Sequence, residues 1–193
     1  MSIIEPFLAA LIFSLLGEIA DKTQFLVLGL AMKYKAPFRV FLGAIGGHIL
    51  IDAIAVLVGV IFGFVFSSNI IKIIVAILFI ALGLWTLYKV FFKKKKKIKG
   101  KEKEFLSKSA FLATFLMIIL GEFGDKTQIA AGLLGAKYLQ PIPIIIGMAI
   151  GLAIATGFTI IVGTKIAEKV PRKTLKIITG ILFVLYGVAA LIF

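Results

Sequence analysis

Gly17-Glu18-Ile19-Ala20-Asp21-Lys22-Thr23-Gln24 and Gly121-Glu122-Phe123-Gly124-Asp125-Lys126-Thr127-Gln128 are near-copies of one charged segment, 122 − 18 = 104 residues apart, and each sits inside a long apolar run. An ionised side chain at membrane depth costs roughly 2.5 kcal/mol or more on insertion scales, so such residues mark a pathway or a site. A chain that carries them twice, at matched positions, is expected to use both copies together.

The surrounding composition sets the class. The chain has 193 residues, 61% of them hydrophobic, and a mean hydropathy of +1.14. A soluble domain of this size has no use for that much apolar surface. The apolar stretches are continuous rather than alternating, which reads as an all-α integral membrane protein and not a barrel. The net charge of +13 does not point to nucleic acid, because the Lys residues cluster at the ends of apolar runs, as in cytoplasmic loops. The absence of Cys excludes a disulfide, a thiolate metal site and a catalytic thiol. The first apolar run lacks a positively charged flank and a small-residue cleavage site, so it reads as a retained helix rather than a removable signal.

Breaks in the apolar pattern predict six membrane spans, near 5–32, 37–66, 69–92, 109–136, 141–167 and 171–193. Each reaches the ~20 residues that a spanning helix needs. Pro37, Pro141 and Pro171 fall at or near helix starts, where the missing N–H does no harm. The run from Lys93 to Glu104 is the one linker: a solvated cytoplasmic loop, able to rest on anionic lipid. It divides the chain into 1–92, the Lys-rich loop 93–108, and 109–193. The two flanking parts align without a gap at the same offset of 104. Lys33, Tyr34 and Pro37 match Lys137, Tyr138 and Pro141, and Gly43 and Gly47 match Gly147 and Gly151. Shared apolar composition would not align Lys, Tyr, Pro and Gly in this way.

Each part holds three spans. An odd number makes the second enter the membrane from the opposite side, giving two inverted three-helix repeats. The loop charges agree. Connections 1–2, 3–4 and 5–6 carry Lys33, Lys35 and Arg39, then ten Lys from Lys89 to Lys108, then Lys165, Lys169, Arg172, Lys173 and Lys176, whereas the other side has Lys72 and Lys137. By the positive-inside rule the rich side is cytoplasmic and both termini face out. A prokaryotic inner membrane is the expected location.

The motifs lie at the middle of spans 1 and 4. On a continuous helix, Glu18, Asp21 and Lys22 share one face, with Gln24 at its border, and Glu122, Asp125, Lys126 and Gln128 repeat the arrangement. Four carboxylates (−4) and two Lys (+2) sum to −2, which matches one divalent cation. Oxygen ligands select hard ions such as Ca²⁺, Mg²⁺ and Mn²⁺. Empty, the cluster repels itself, and a proton on one carboxyl relieves this. A site that takes a metal or protons meets the minimum requirement for exchanging them. Thr23, Gln24, Thr127 and Gln128 offer further oxygens, as would carbonyls near Gly17, Gly121 and Gly124 if the helices break there. The competing reading is interhelical glue, for example Glu18 with Lys126. It explains a single charged residue better than a duplicated set.

A one-sided polar pair lies in span 2. His48 and Asp52 are four residues apart, and their counterparts are Leu152 and Thr156. They read equally as a proton relay or extra ligand and as a self-satisfied pair lining a wet crevice. Gly43 with Gly47, and Gly147 with Gly151, read as close-packing surfaces. The abundant Phe reads as lipid-facing bulk, and Trp85 as an interfacial anchor.

The motif Glu-x-Gly-Asp-Lys-Thr, twice in a six-span chain with a central charged loop, resembles the Gdt-type cation transporters of the lysine-exporter superfamily, which include Golgi and chloroplast manganese transporters. Glu122 to Thr127 fits the motif fully, and Glu18 to Thr23 departs from it at Ala20, where the family usually has Gly. The resemblance implies exchange of Ca²⁺ or Mn²⁺ for H⁺, with Glu18, Asp21, Glu122 and Asp125 binding the ion, and no resident cofactor. The residues leave other readings open: an exporter of cationic amino acids, a membrane enzyme holding Mg²⁺ against lipid phosphate, and a channel. No Ser/His nucleophile arrangement accompanies the motif, which weakens the enzyme reading.

Overall fold

Eight helices follow one another in the computed structural model: α1 (Ile4–Glu18), α2 (Lys22–Tyr34), α3 (Pro37–Val65), α4 (Ser68–Phe92), α5 (Ala110–Glu122), α6 (Lys126–Tyr138), α7 (Pro141–Val162) and α8 (Arg172–Ile192). The structure describes residues 2–19, 21–92, 109–162 and 172–192, less the side chains of Lys22, Ser68, Arg172, Leu175 and Lys176. The Lys-rich loop 93–108, the connection 163–171 and Ala20 therefore lie outside the described residues. No strand occurs among those described. Helices Pro37–Val65, Asn69–Phe92 and Pro141–Val162 are long and apolar enough to cross a membrane, and Ala110–Glu122 and Ile177–Ile192 are shorter apolar helices.

The expected spans at 5–32 and 109–136 are not single helices. Each divides at its motif, α1 from α2 and α5 from α6. The reason lies in the backbone at the acidic residues. Asp21 (φ −83°, ψ 164°) and Asp125 (φ −72°, ψ 168°) are extended, so each starts a new helix as its N-cap. The Asp21 N–H donates to the Glu18 carbonyl at 3.1 Å and the Asp125 N–H to the Glu122 carbonyl at 3.0 Å, closing a tight turn across each break. Gly124 turns through φ +76°, a region that glycine enters without strain. The single helix face expected to carry Glu18, Asp21 and Lys22 is thus replaced by a junction, with Glu at the end of one helix and Asp before the next.

Lipid supplies no hydrophobic drive between helices, so close van der Waals packing must hold them, and small residues permit it. α1 lies along α7, α5 along α3, and α4 along α8. In each case glycines set the approach. A Cβ on Gly43 would stand 2.5 Å from the Phe111 carbonyl oxygen, one on Gly151 2.6 Å from that of Leu11, and one on Gly83 2.6 Å from that of Gly180. α6 seats on α3 the same way, where a Cβ on Gly59 would collide with the Gly132 carbonyl.

These contacts define two ends. Glu5 of α1, the end of α3, the start of α4, the end of α6 and the start of α7 gather at the terminal end. The starts of α3 and α5 meet at the linker end. Each end has an apolar core. At the terminal end Phe13, Val56, Val60, Val75, Phe79, Leu134, Met148 and Phe183 meet across α1, α3, α4, α6, α7 and α8. At the linker end Val27, Leu30, Ala31, Val40, Ala44, Ala110 and Ile118 meet across α2, α3 and α5.

Aromatic residues divide between lipid and core. Phe64, Phe92 and Phe123 are exposed, as lipid-facing bulk requires, but Phe13, Phe79 and Phe183 are buried. Their rings stack edge and tilt on one another and on Tyr186 at centroid distances of 4.7–5.7 Å. The expectation of lipid-facing Phe is corrected there, because four rings from three helices fill more volume than aliphatic side chains could at that crossing. Trp85 is exposed, with the Lys89 ammonium 4.8 Å from its ring centre.

Candidate metal centre

Contacts of α1 with α6 and of α2 with α5 bring the two breaks together. One oxygen from each of Glu18, Asp21, Glu122 and Asp125 lies within 4.8 Å of all the others. Two oxygens on opposite sides of a Ca²⁺ ion stand about 4.6–5.2 Å apart, whereas Mg²⁺ requires about 4.0–4.2 Å. The separation of the four oxygens falls in the range that hard-cation ligands span.

The motifs are interlocked. Thr127 Oγ1 of α6 donates to Glu18 Oε1 at 3.0 Å. The matching Thr23 Oγ1 of α2 donates to Glu122 Oε1. Each copy's Thr thus holds the other copy's Glu. Gly17 makes room for this, since a Cβ there would stand 2.7 Å from Thr127 Cγ2. Glu18 is 1% exposed, and its other carboxylate oxygen has no hydrogen-bond donor. A buried charged oxygen without a partner is costly, and a bound cation or proton removes that cost.

Both aspartates stand at the start of a helix. Neither caps its own helix with its side chain, and a carboxylate suits the positive N-terminus of α2 or α6. Lys126 Nζ sits 3.3 Å from Asp21 Oδ2 and 3.2 Å from Asp125 Oδ2, joining the two motifs. The interhelical pair expected as Glu18 with Lys126 is instead this bridge to the aspartates. The side chain of Lys22 lies outside the described residues.

The glutamines reach outward to the flanking helices. Gln24 Nε2 donates to Thr156 Oγ1 of α7 at 3.5 Å, and Gln128 Nε2 to the Ile51 carbonyl of α3 at 3.2 Å. Gln128 also accepts from the Gly124 N–H, which steadies the second break. His48 and Asp52 are both buried on α3. Glu122 and Asp125 act electrostatically on Asp52, and Asp21, Asp125 and Lys126 on His48. Asp52 Oδ1 has no hydrogen-bond partner, and no hydrogen bond joins it to His48 among the described residues.

Sequence reasoning singled out every carboxylate of this group. It did not find the role of Thr156, which the offset of 104 pairs with Asp52, nor a chain of polar contacts at the terminal end. There Tyr138 Oη donates to Glu5 Oε1 at 2.8 Å, and Tyr186 Oη donates to Tyr138 Oη at 3.0 Å. The duplication signal covers Tyr138, which matches Tyr34. Glu5 and Tyr186 match Ser109 and Leu82, so nothing in the repeat marked them.

The family model described as divalent cation/proton antiporter GDT1 matches residues 6–94 and 110–193. A Vibrio cholerae protein whose name reads "Putative manganese exporter" is 32% identical over 183 residues, covering 92% of this chain and 86% of its own. GDT1-like protein 5 of Arabidopsis thaliana is 25% identical over 224 residues, covering 99% and 97%. A GDT1-like protein of Synechocystis is 28% identical over 199 residues, covering 95% of each chain. No solved structure matches. The family match takes in both motifs and all four carboxylates, and the chain belongs to the divalent cation/proton antiporter GDT1 family.

Proposed function

We propose that this chain is a secondary transporter that exchanges Mn²⁺ or Ca²⁺ for protons through one mid-membrane site shared by two inverted three-helix repeats. The observation that carries the reading is the meeting of four carboxylates, two from each motif, with oxygens within 4.8 Å of one another. The reciprocal Thr–Glu bonds and the pairing of α1 with α7 and α5 with α3 support the inverted arrangement. Glu18, Asp21, Glu122 and Asp125 bind the cation. Thr23 and Thr127 orient the glutamates, Gln24 and Gln128 tie the breaks to α7 and α3, and Lys126 holds the aspartates when the cation leaves. His48 and Asp52 are the candidates for passing protons. The loop charges support a cytoplasmic linker end with both termini outside. In a prokaryotic inner membrane the inward proton gradient drives metal out, in keeping with the name of the Vibrio relative.

The test is metal uptake into everted vesicles under an imposed proton gradient. Glu18→Gln and Glu122→Gln each abolish uptake of Mn²⁺ or Ca²⁺ while the protein stays folded and in the membrane. Parental rates in both variants refute the site. Competition by lysine, with no effect of the metals, makes the chain an amino-acid exporter instead.

A further inference from the structure

We propose that the crevice between α3, α4 and α6 binds one anionic phospholipid, with an acyl chain along the crevice and the phosphate between Lys72 and Lys137. The claim goes beyond the transport reading above and does not depend on it.

The crevice follows from how α4 is seated. α3 and α4 each pack on α6 but scarcely on one another. They part as they leave their connection at Ser67, and α6 floors the gap. The space measures about 510 Å³, within the range of ligand pockets. Gln128 is the one polar residue lining it among those described. Val58 and Phe62 on one wall and Ile74 and Leu78 on the other are exposed, so the crevice opens sideways, toward the acyl chains that surround a spanning helix. Along α3 it runs from Phe66 to Ala55. That is 66 − 55 = 11 residues, or about 16 Å at 1.5 Å each. Half of the ~30 Å hydrocarbon core is one leaflet, and the crevice has that depth. At its inner end the Gln128 amide is already engaged, accepting from the Gly124 N–H and donating to the Ile51 carbonyl. The inner end therefore asks for no hydrogen bond and suits the tail of a lipid rather than its head.

The outer end is charged. Phe66, Ile71 and Ala136 line it, and the residues after the last two are Lys72 and Lys137. Lys72 and Glu5 both act electrostatically on Lys137, so two ammonium groups and one carboxylate gather at the mouth. Their sum is +1, which matches the single charge of a phosphodiester. Lys72 is exposed and Lys137 half-buried. The Lys137 ammonium lies 5.2 Å from the Tyr138 ring centre and 4.8 Å from that of Tyr186, and these ring faces hold it in place. Like charges brought close repel, and an anion between them relieves this. Each Lys near the membrane surface strengthens anionic-lipid binding about fivefold. Bulk lipid fills any groove on a spanning helix; the paired cations at the mouth of a leaflet-deep crevice set this one apart.

The test uses the full chain in detergent and a phosphatidylglycerol with a diazirine near the end of one acyl chain. Photo-adducts are mapped by peptide mass spectrometry. They concentrate on Val75, Leu78 and Ile129, which line the inner part of the crevice. Unlabelled phosphatidylglycerol competes, phosphatidylcholine needs about tenfold more, and glycerol phosphate without acyl chains does not compete. Lys72→Gln combined with Lys137→Gln raises the lipid concentration for half-maximal labelling roughly twentyfold. Ile74→Trp, which fills the crevice and leaves both lysines, raises it by a similar factor. Lys89→Gln, near the far end of α4, changes it less than about twofold. Adducts spread evenly over the exposed helix faces and insensitive to competitor mean bulk lipid and overturn the proposal. Equal competition by phosphatidylcholine, competition by glycerol phosphate, or labelling unchanged in both crevice variants overturns it too. Thermal unfolding checks that each variant is folded. If the double lysine variant is not, Ile74→Trp and the competition series in the parent decide. The assay reads no metal, so its outcome and that of the vesicle uptake test are separate.

Discussion

Thr127→Val isolates one bond of the metal centre. Valine keeps the shape of Thr127 and the methyl that packs over Gly17, but loses the hydroxyl that donates to Glu18 at 3.0 Å. Glu18 is 1% exposed and its second oxygen already lacks a donor. The substitution therefore removes a hydrogen bond to a charged group where solvent cannot replace it. Such bonds contribute about 1.5–3 kcal/mol. Because a bound cation also neutralises Glu18, that is the upper range of the effect on binding. At about 1.4 kcal/mol per decade, Kd for Mn²⁺ or Ca²⁺ rises tenfold, and at most about a hundredfold. The assay is calorimetric or thermal-shift titration of the purified protein at fixed pH, with a double-mutant cycle against Glu18→Gln. In the Glu18→Gln background, Thr127→Val changes the residual affinity by less than about twofold, since its effect runs through Glu18. Fully additive losses, or parental affinity in Thr127→Val alone, refute the interlocked site. Thr23→Val repeats the experiment on Glu122.

Two other substitutions probe packing and charge. Gly59→Val drives a side chain into the Gly132 carbonyl and lowers the thermal midpoint by several degrees or blocks folding, whereas Gly29→Ala, with open space around its Cβ, is neutral or slightly stabilising in the same melt. Lys126→Met deletes the cation that bridges Asp21 and Asp125, so divalent binding tightens by roughly tenfold or more while turnover in vesicles slows; weaker binding contradicts the assigned role.

The sequence made the membrane class, the duplication and the four carboxylates readable, because charge in an apolar run and a fixed offset are one-dimensional signals. The helix breaks were readable only as a possibility. Gly124 suggests one, but Asp21 and Asp125 leave the helix through backbone angles that hydropathy does not report. The abundance of Phe likewise read as lipid-facing bulk, whereas Phe13, Phe79 and Phe183 are buried, because an apolar ring reads the same whether it faces acyl chains or other rings. The bridge from Lys126 to Asp21 joins residues 105 positions apart, and no local pattern chooses it over Glu18. The contacts of Glu5 and Tyr186 with Tyr138 were hidden because Ser109 and Leu82 stand at the matching positions, so the repeat does not mark them.

The crossed Thr–Glu bonds have a consequence for synthesis. A nascent chain that has inserted α1 to α4 holds Glu18 and Asp21 but has not yet made Glu122, Asp125 or Thr127. It holds half of the proposed ligands and lacks Thr127, which donates to Glu18 in the finished structure. The four carboxylates proposed to bind the cation come together only when α6 arrives. If the proposed site is right, a cell that inserts this protein one helix at a time is spared an incomplete product that binds the ion.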